Sequence, residues 1–188
     1  MKNISDNARV SNNARVSGTA QVFGDARVYD NAVVFGDAWV YGNAVVFGNA
    51  RVFGNARVSG DAWVSGDARV SGDACVSGDA RVFGDACVSG DARVSGNAII
   101  EKTSDYLVVG PAKSSGRFTT AHRDSKIGVR VNCGCFSGTV HEFSRAIEAT
   151  HKDNQEALEQ YRRFCQLIAF NFNVDPKEER SDTEGGMQ

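Results

Sequence analysis

Apolar residues fall at every sixth position through the first half of the chain. Val stands there from Val10 to Val94, and Ile4 and Ile100 continue the row at its two ends. Ala stands two residues before each, from Ala8 to Ala98. The unit reads (Ser/Phe/Tyr)-Gly-(Asp/Asn)-Ala-x-Val, and sixteen such hexads run from Ser5 to Ile100 without insertion or deletion. Six is not a helical period, and a Gly in every unit would cost a helix roughly 0.5–1 kcal/mol each time. A β-branched residue between two variable positions suits a very short strand. The Gly-Asp or Gly-Asn step suits a tight corner, because these residues accept left-handed and bridge conformations at little cost. Each hexad is therefore predicted to be a strand plus a corner. Val points inward, Ala fills the inner side of the corner, and the residues flanking Val point outward. No single unit can bury its own apolar face, so stability must come from stacking.

On these residues the chain resembles the hexapeptide-repeat left-handed β-helix family over residues 4–101. The resemblance implies a mostly β protein, a left-handed parallel β-helix, with three hexads per triangular coil. That makes about five coils of eighteen residues, wound against the usual hand of parallel crossovers. Each inward Val would contribute roughly 1.5–3 kcal/mol before entropy is subtracted. Departures cluster near the start of the repeat: Asn12 and Asp30 stand where Gly is expected, and Thr19 where Asp is. An atypical first coil suits a capping end.

Three hexads per coil sort the outward residues into three faces. The first carries Arg27, Tyr29, Val45, Phe47, Trp63, Arg81, Phe83 and Ile99, and is the most apolar. The second carries Val33, Phe35, Arg51, Phe53, Arg69 and Cys87, and the third Trp39, Tyr41, Arg57, Cys75 and Arg93. Six successive hexads place an aromatic after Val, from Phe23 to Phe53, and later ones mostly Ser. A girdle of this kind should not face water on every side. Tyr29, Val45, Phe47, Trp63 and Phe83 are the predicted oligomer interface. Arg51, Arg69, Phe35 and Phe53 are the predicted ligand-binding set, since guanidinium groups beside rings can grip a phosphate and stack a base. A plain Arg ladder balanced by the corner Asp residues remains the alternative for the same column.

After Ile100 the period stops. Residues 102–174 read as a small α+β cap domain and residues 175–188 as a disordered polar tail, behind a β-helix spanning 1–101. Short strands are predicted at Tyr106–Val109, Arg117–His122 and Ile127–Cys135, punctuated by Gly110, Gly116 and Gly128. Thr139-Val-His-Glu142 and Asp153-Asn-Gln-Glu156 read as two capping boxes, each opening an amphipathic helix. Val140, Phe143 and Ile147 line the first helix; Leu158, Tyr161, Phe164, Cys165 and Ile168 line the second. The stretch from Gly128 through Cys133, Cys135 and His141 to Phe143, with Thr150-His151 after it, resembles a C-terminal module of phage, prophage and gut-bacterial proteins. That resemblance implies a setting rather than a chemistry.

Charge and chemistry narrow the function. The chain has 21 basic and 23 acidic residues, a formal net charge of −2, which argues against general nucleic-acid binding. No apolar leader or membrane-length run is apparent, and Cys75 and Cys87 are expected on different faces, unpaired, so a reduced bacterial cytoplasm is the expected location. Acyltransferases of the resembled family take a His as general base, and γ-class carbonic anhydrases of this fold bind zinc through three coil histidines. Here the three histidines, His122, His141 and His151, all lie beyond the repeat. Cys133, Cys135 and His141 are a weak metal set, Cys135 with His141 a weak nucleophile–base pair, and buried small hydrophobes the plainer reading. No residue asks for a cofactor, and no catalytic or metal residue is assigned. The reading is a non-enzymatic, homotrimeric binding or scaffold protein of phage or prophage setting. In its sharper form it sequesters a small anionic, nucleotide-like ligand at subunit interfaces, an anti-defence role. An acyltransferase that has lost or moved its base and a structural spacer in a virion stay open as alternatives.

Overall fold

A computed structural model describes residues 4–5, 7–11 and 13–177. Each hexad contributes one two-residue strand. β1 is Arg9–Val10, β2 Arg15–Val16 and β3 Gln21–Val22, and every later strand lies six residues further on, to β16 at Ile99–Ile100. Strands three hexads apart pair in parallel, Arg9 with Arg27 and Val10 with Val28. Three sheets of six, five and five strands result, a parallel β-solenoid of about five turns. The register repeats, so like stacks on like. Val22 and its equivalents to Val94, with Ile100, have no exposed surface, nor do Ala20 to Ala92. Ala8, Val10, Ala14 and Val16 are half-buried against that core. Short of the last coil, the main-chain N–H groups on either side of Val donate to the coil above: Arg51 N donates to Ala68 O at 2.9 Å and Phe53 N to Val70 O at 2.9 Å.

The corners explain their composition. The repeat glycines hold φ between +64° and +72°, where a side chain costs about 1 kcal/mol or more. They also stack: a Cβ on Gly60 would stand 2.9 Å from Gly78 N, whereas one on Gly90 would meet nothing within 4 Å. Gly90→Ala is therefore expected to lose only the about 1–2 kcal/mol of the backbone conformation. Gly60→Ala should lose about 1–3 kcal/mol more, because main chain cannot swing aside as a side chain can. Equal urea midpoints for the two variants would contradict the stacking. Asp30 keeps the left-handed corner at φ 58° and its carboxylate accepts from Gly48 N at 3.3 Å. Asn12 lies outside the described residues. The next corner residue forms ladders between coils, Asn13 Nδ2 to Asn31 Oδ1, Asn31 to Asn49 and Asn49 to Asp67 at 3.1–3.3 Å. Thr19 joins such a ladder by donating to the Asp37 carboxylate.

Beyond a short 3-10 turn, β17 (Tyr106–Val109), β18 (Thr119–Asp124), β19 (Gly128–Cys133) and β20 (Phe136–Thr139) make an antiparallel sheet in that order. The helices are α1 (Val140–Thr150) and α2 (Gln155–Phe172). β18 begins and ends two residues later than expected. The predicted long strand to Cys135 is instead a hairpin, Cys133 pairing with Phe136 across Gly134-Cys135, with Gly134 at φ 61°. β20 escaped notice because Ser137 and Gly138 carry little strand preference. The Thr139 capping box forms, Thr139 Oγ1 accepting from Glu142 N at 3.1 Å and Glu142 Oε2 from Thr139 N at 2.7 Å. The second cap is Asn154, which accepts from Ala157 N at 3.0 Å, rather than Asp153. Both helices bury the predicted stripes, except that Phe164 is half-buried. Arg162 grips Glu148 through Nε and Nη2, at 2.6 and 2.7 Å, across the helix pair. Residues 176–177 form a turn; the rest of the expected tail, 178–188, lies outside the described residues.

The cap meets the last coil by imitation. Within the solenoid, residues equivalent to Arg93 and Ser95 donate to carbonyls one coil on, as Cys75 N does to Ala92 O and Ser77 N to Val94 O. At the end of the repeat, side chains of β18 take that place. Thr120 Oγ1 accepts from Arg93 N at 3.0 Å, His122 Nε2 from Ser95 N at 3.3 Å and Asp124 Oδ2 from Asn97 N at 3.2 Å. Alternate residues of a strand share a face, so three acceptors two residues apart match three donors two residues apart. Thr103 Oγ1 and the Tyr106 hydroxyl serve Cys87 N and Ser89 N in the same way, each at 3.2 Å.

Candidate functional site

The outer faces of the second, third and fourth coils hold the densest unassigned chemistry. Parallel pairing repeats a side chain about every 4.8 Å, which is a stacking distance for rings. Phe23 lies on Tyr41 at 4.9 Å and 4°, Tyr29 on Phe47 at 5.1 Å and 14°, and Phe35 on Phe53 at 4.9 Å and 5°. The girdle is thus three short ring stacks, one at each corner column.

The predicted ligand set divides. Arg51 and Arg69 are paired in register on one sheet, between Val33 and Cys87, and both are exposed. Phe35 and Phe53 stack on each other, so each has one face taken by the other ring. The guanidinium-over-ring contacts lie on the other two faces. Arg57 Cζ sits 5.8 Å from the Trp39 ring centre and Arg81 Cζ 5.7 Å from that of Trp63. Each Trp also receives a Phe edge-on, Phe23 at 6.0 Å and Phe47 at 6.1 Å. Phe23–Trp39–Arg57 and Phe47–Trp63–Arg81 are one module written twice, four hexads apart. Its signal in the sequence is a Trp–Arg step of one coil, Trp39 to Arg57 and Trp63 to Arg81. Of the predicted interface, Tyr29, Val45, Phe47 and Phe83 are half-buried by their own neighbours. Trp63 is 48% exposed and Trp39 40%. A separate apolar patch lies on α2, where Phe170 is 87% exposed beside Leu167.

The cap offers a second cluster. Ser115 Oγ lies 3.0 Å from the Tyr161 hydroxyl, and His151 stacks on the Tyr161 ring at 4.9 Å. Burial pushes the Tyr161 hydroxyl up, the Ser115 hydrogen bond draws it back, and Cys133 and Arg117 lie close enough to act on it. Cys133 is half-buried and Cys135, at the hairpin tip, is exposed rather than the buried small hydrophobe expected. Among the described residues no three of His, Cys, Asp and Glu gather as a metal-holding group. All five cysteines are free. Burial pushes the Cys165 thiol up to about 12. Burial also raises Cys75, although Arg93 and Arg57 on either side pull the other way. Neither is a thiolate near neutral pH. His122, the most deeply placed of the three histidines, is spent on the cap–solenoid contact.

No helix among the described residues is long and apolar enough to cross a membrane. No curated protein and no solved structure matches the chain. Residues 4–18, 20–36, 26–42 and 50–66 match the family model of the YdcK beta solenoid repeat. With the stacked coils, that similarity makes this a repeat β-solenoid protein.

Proposed function

We propose that the chain is a non-catalytic scaffold that assembles as a homotrimer through its first face and holds a small anionic, nucleotide-like ligand on its second. The observation that carries the reading is the aromatic band from Phe23 to Trp63, stacked, in register and open to solvent at both Trp residues. Exposed Trp rings braced by stacked aromatic columns mark contact surfaces. Arg51 and Arg69 add two adjacent cations with no acidic side chain within salt-bridge reach among the described residues. The absence of His from the repeat and the structural use of His122 favour binding over group transfer. A phage or prophage protein that sequesters a nucleotide signal is the setting this reading fits.

Native mass spectrometry of freshly purified protein reads stoichiometry and any retained small molecule together. Calorimetric titration with linear and cyclic nucleotides then tests the ligand. Charge-assisted contacts contribute roughly 1.5–3 kcal/mol each, so Arg51→Ala is expected to weaken binding by about one to two decades and leave the trimer intact. Absence of heat with every nucleotide would reject the ligand and leave the scaffold. Binding indifferent to Arg51 and Phe53 would move the site to the cap, around Arg117 and Arg130.

A further inference from the structure

His122 is fully buried where β18 meets the end of the solenoid. Its hydrogen bonds leave one protonation state. Ser95 N, a main-chain donor, points at Nε2 from 3.3 Å, and Asn132 Nδ2 lies 3.1 Å from the same nitrogen while also donating to Arg93 O at 3.0 Å. Nδ1 lies 3.1 Å from Arg123 O, which can only accept. The docked ring is therefore neutral, with its proton on Nδ1 and a bare lone pair on Nε2. A second proton would have to sit on Nε2, facing two donors, in a site with no exposed surface.

We propose that His122 is an acid-sensitive latch, so that uptake of a second proton releases the C-terminal domain from the last coil. Its surroundings have no group that would rescue the charged ring. β15 (Arg93–Val94) presents main chain and Ser95, and β17 presents Tyr106 across from His122. β19 presents Arg130 and Asn132, and β18 itself Arg123 and Asp124. Among the described residues Asp124 is the one carboxylate acting on the ring, and it is already engaged. Arg130 Nε donates to it at 2.7 Å, and Asn97 N, Lys126 N and Ile127 N donate as well. Burial works against the Asp124 carboxylate, but the Arg130 and main-chain hydrogen bonds outweigh it and hold its pKa below the usual range. Its own protonation belongs to more acid conditions.

Burial is the main cause lowering the His122 pKa from 6.5, against partial opposition from the Arg123 carbonyl and Asp124. The sign follows. The released ring binds its proton near pH 6.5 and the docked ring only at lower pH, so below pH 6.5 the released state holds more protons. Docking is complete above that pH and weakens about tenfold for each unit below it, until the docked pKa is reached.

Amide hydrogen exchange across pH 7.5 to 5.0, corrected for intrinsic rates, reads this directly. Protection at Ser95 and Arg93 should fall, by up to about fivefold from pH 6.5 to 5.5, relative to Phe53, whose N–H is held mid-solenoid. His122→Gln, a non-titrating acceptor, should abolish that pH dependence. If the Gln variant fails to dock, Ser95 is unprotected at every pH, and a direct NMR titration of His122 in the unmodified protein decides. A ring that titrates at or above pH 6.5, or Ser95 protection that tracks Phe53 throughout, overturns the latch.

Discussion

Val64→Asp is expected to destabilise the solenoid by several kcal/mol, on the order of 4 or more. Val64 has no exposed surface and is stacked between Val46 and Val82. A carboxylate there has only Val and Ala around it, and the nearest main-chain groups are committed, as Phe47 N is to Val64 O at 3.0 Å. It must ionise without a partner or remain protonated with two unsatisfied oxygens, and both are costly. Arg69→Ser is the outward control. Arg69 is exposed, its ladder neighbours are Arg51 and Cys87, and it forms no ion pair among the described residues. Its loss should cost less than about 0.5 kcal/mol. Urea unfolding of the two variants checks the pair, and equal midpoints would falsify the inward–outward assignment.

How much of this was legible depends on the range over which each residue acts. The solenoid was readable because inward Val, corner Ala and corner Gly answer to local geometry repeated sixteen times, so one correct unit yields all of them. Thr139 was readable for the same reason, its capping box closing within four residues. Asn154 was read one residue off because Asp153 and Asn154 are both good caps, and only the packing of α2 selects between them. That the second unit caps the solenoid was legible; the residues that dock it were not. Thr120, His122 and Asp124 look like ordinary polar residues of a strand until Arg93, Ser95 and Asn97 are set opposite them, 27 residues away in sequence. The ligand column was read by position along the coil, whereas ring contacts depend on side-chain length. An indole reaches the Arg one coil above it, as at Trp39 and Trp63; the Phe rings of the second face reach only each other.

The two ends of the solenoid carry different chemistry. The aromatic stacks end near Trp63, and beyond it the outward residues after Val are Ser apart from Phe83, with Asp at every corner from Asp61 to Asp91. The cap contacts begin at Cys87. The centre of the proposed self-association face, at Phe47 and Trp63, therefore lies on earlier coils than the cap contacts. Acid release of the cap should leave the oligomer intact, and loss of the oligomer should leave Ser95 protected.

Phe47→Glu combined with Trp63→Glu is expected to convert the proposed trimer to monomer. Phe47 stacks on Tyr29 and meets Trp63 edge-on, and Trp63 lies beneath Arg81, so the two residues form the centre of the first face. A stable interface removes about 800 Å² per partner from water, and rings at its centre carry most of the energy. Glu at both positions deletes the rings and buries six carboxylates around a three-fold axis, with Arg27 and Arg81 the nearest cations of the same face in register. Both side chains lie outside the Val/Ala core, so the monomer should keep its fold and most of its melting temperature, apart from what assembly itself contributes. Phe35→Glu, on the second face, should leave the trimer unchanged and serves as the control for a general effect of added charge. Native mass spectrometry and light scattering at micromolar concentration read all three forms. A monodisperse monomer for the unmodified chain would remove the trimer, and dissociation by Phe35→Glu alone would move the interface to the second face.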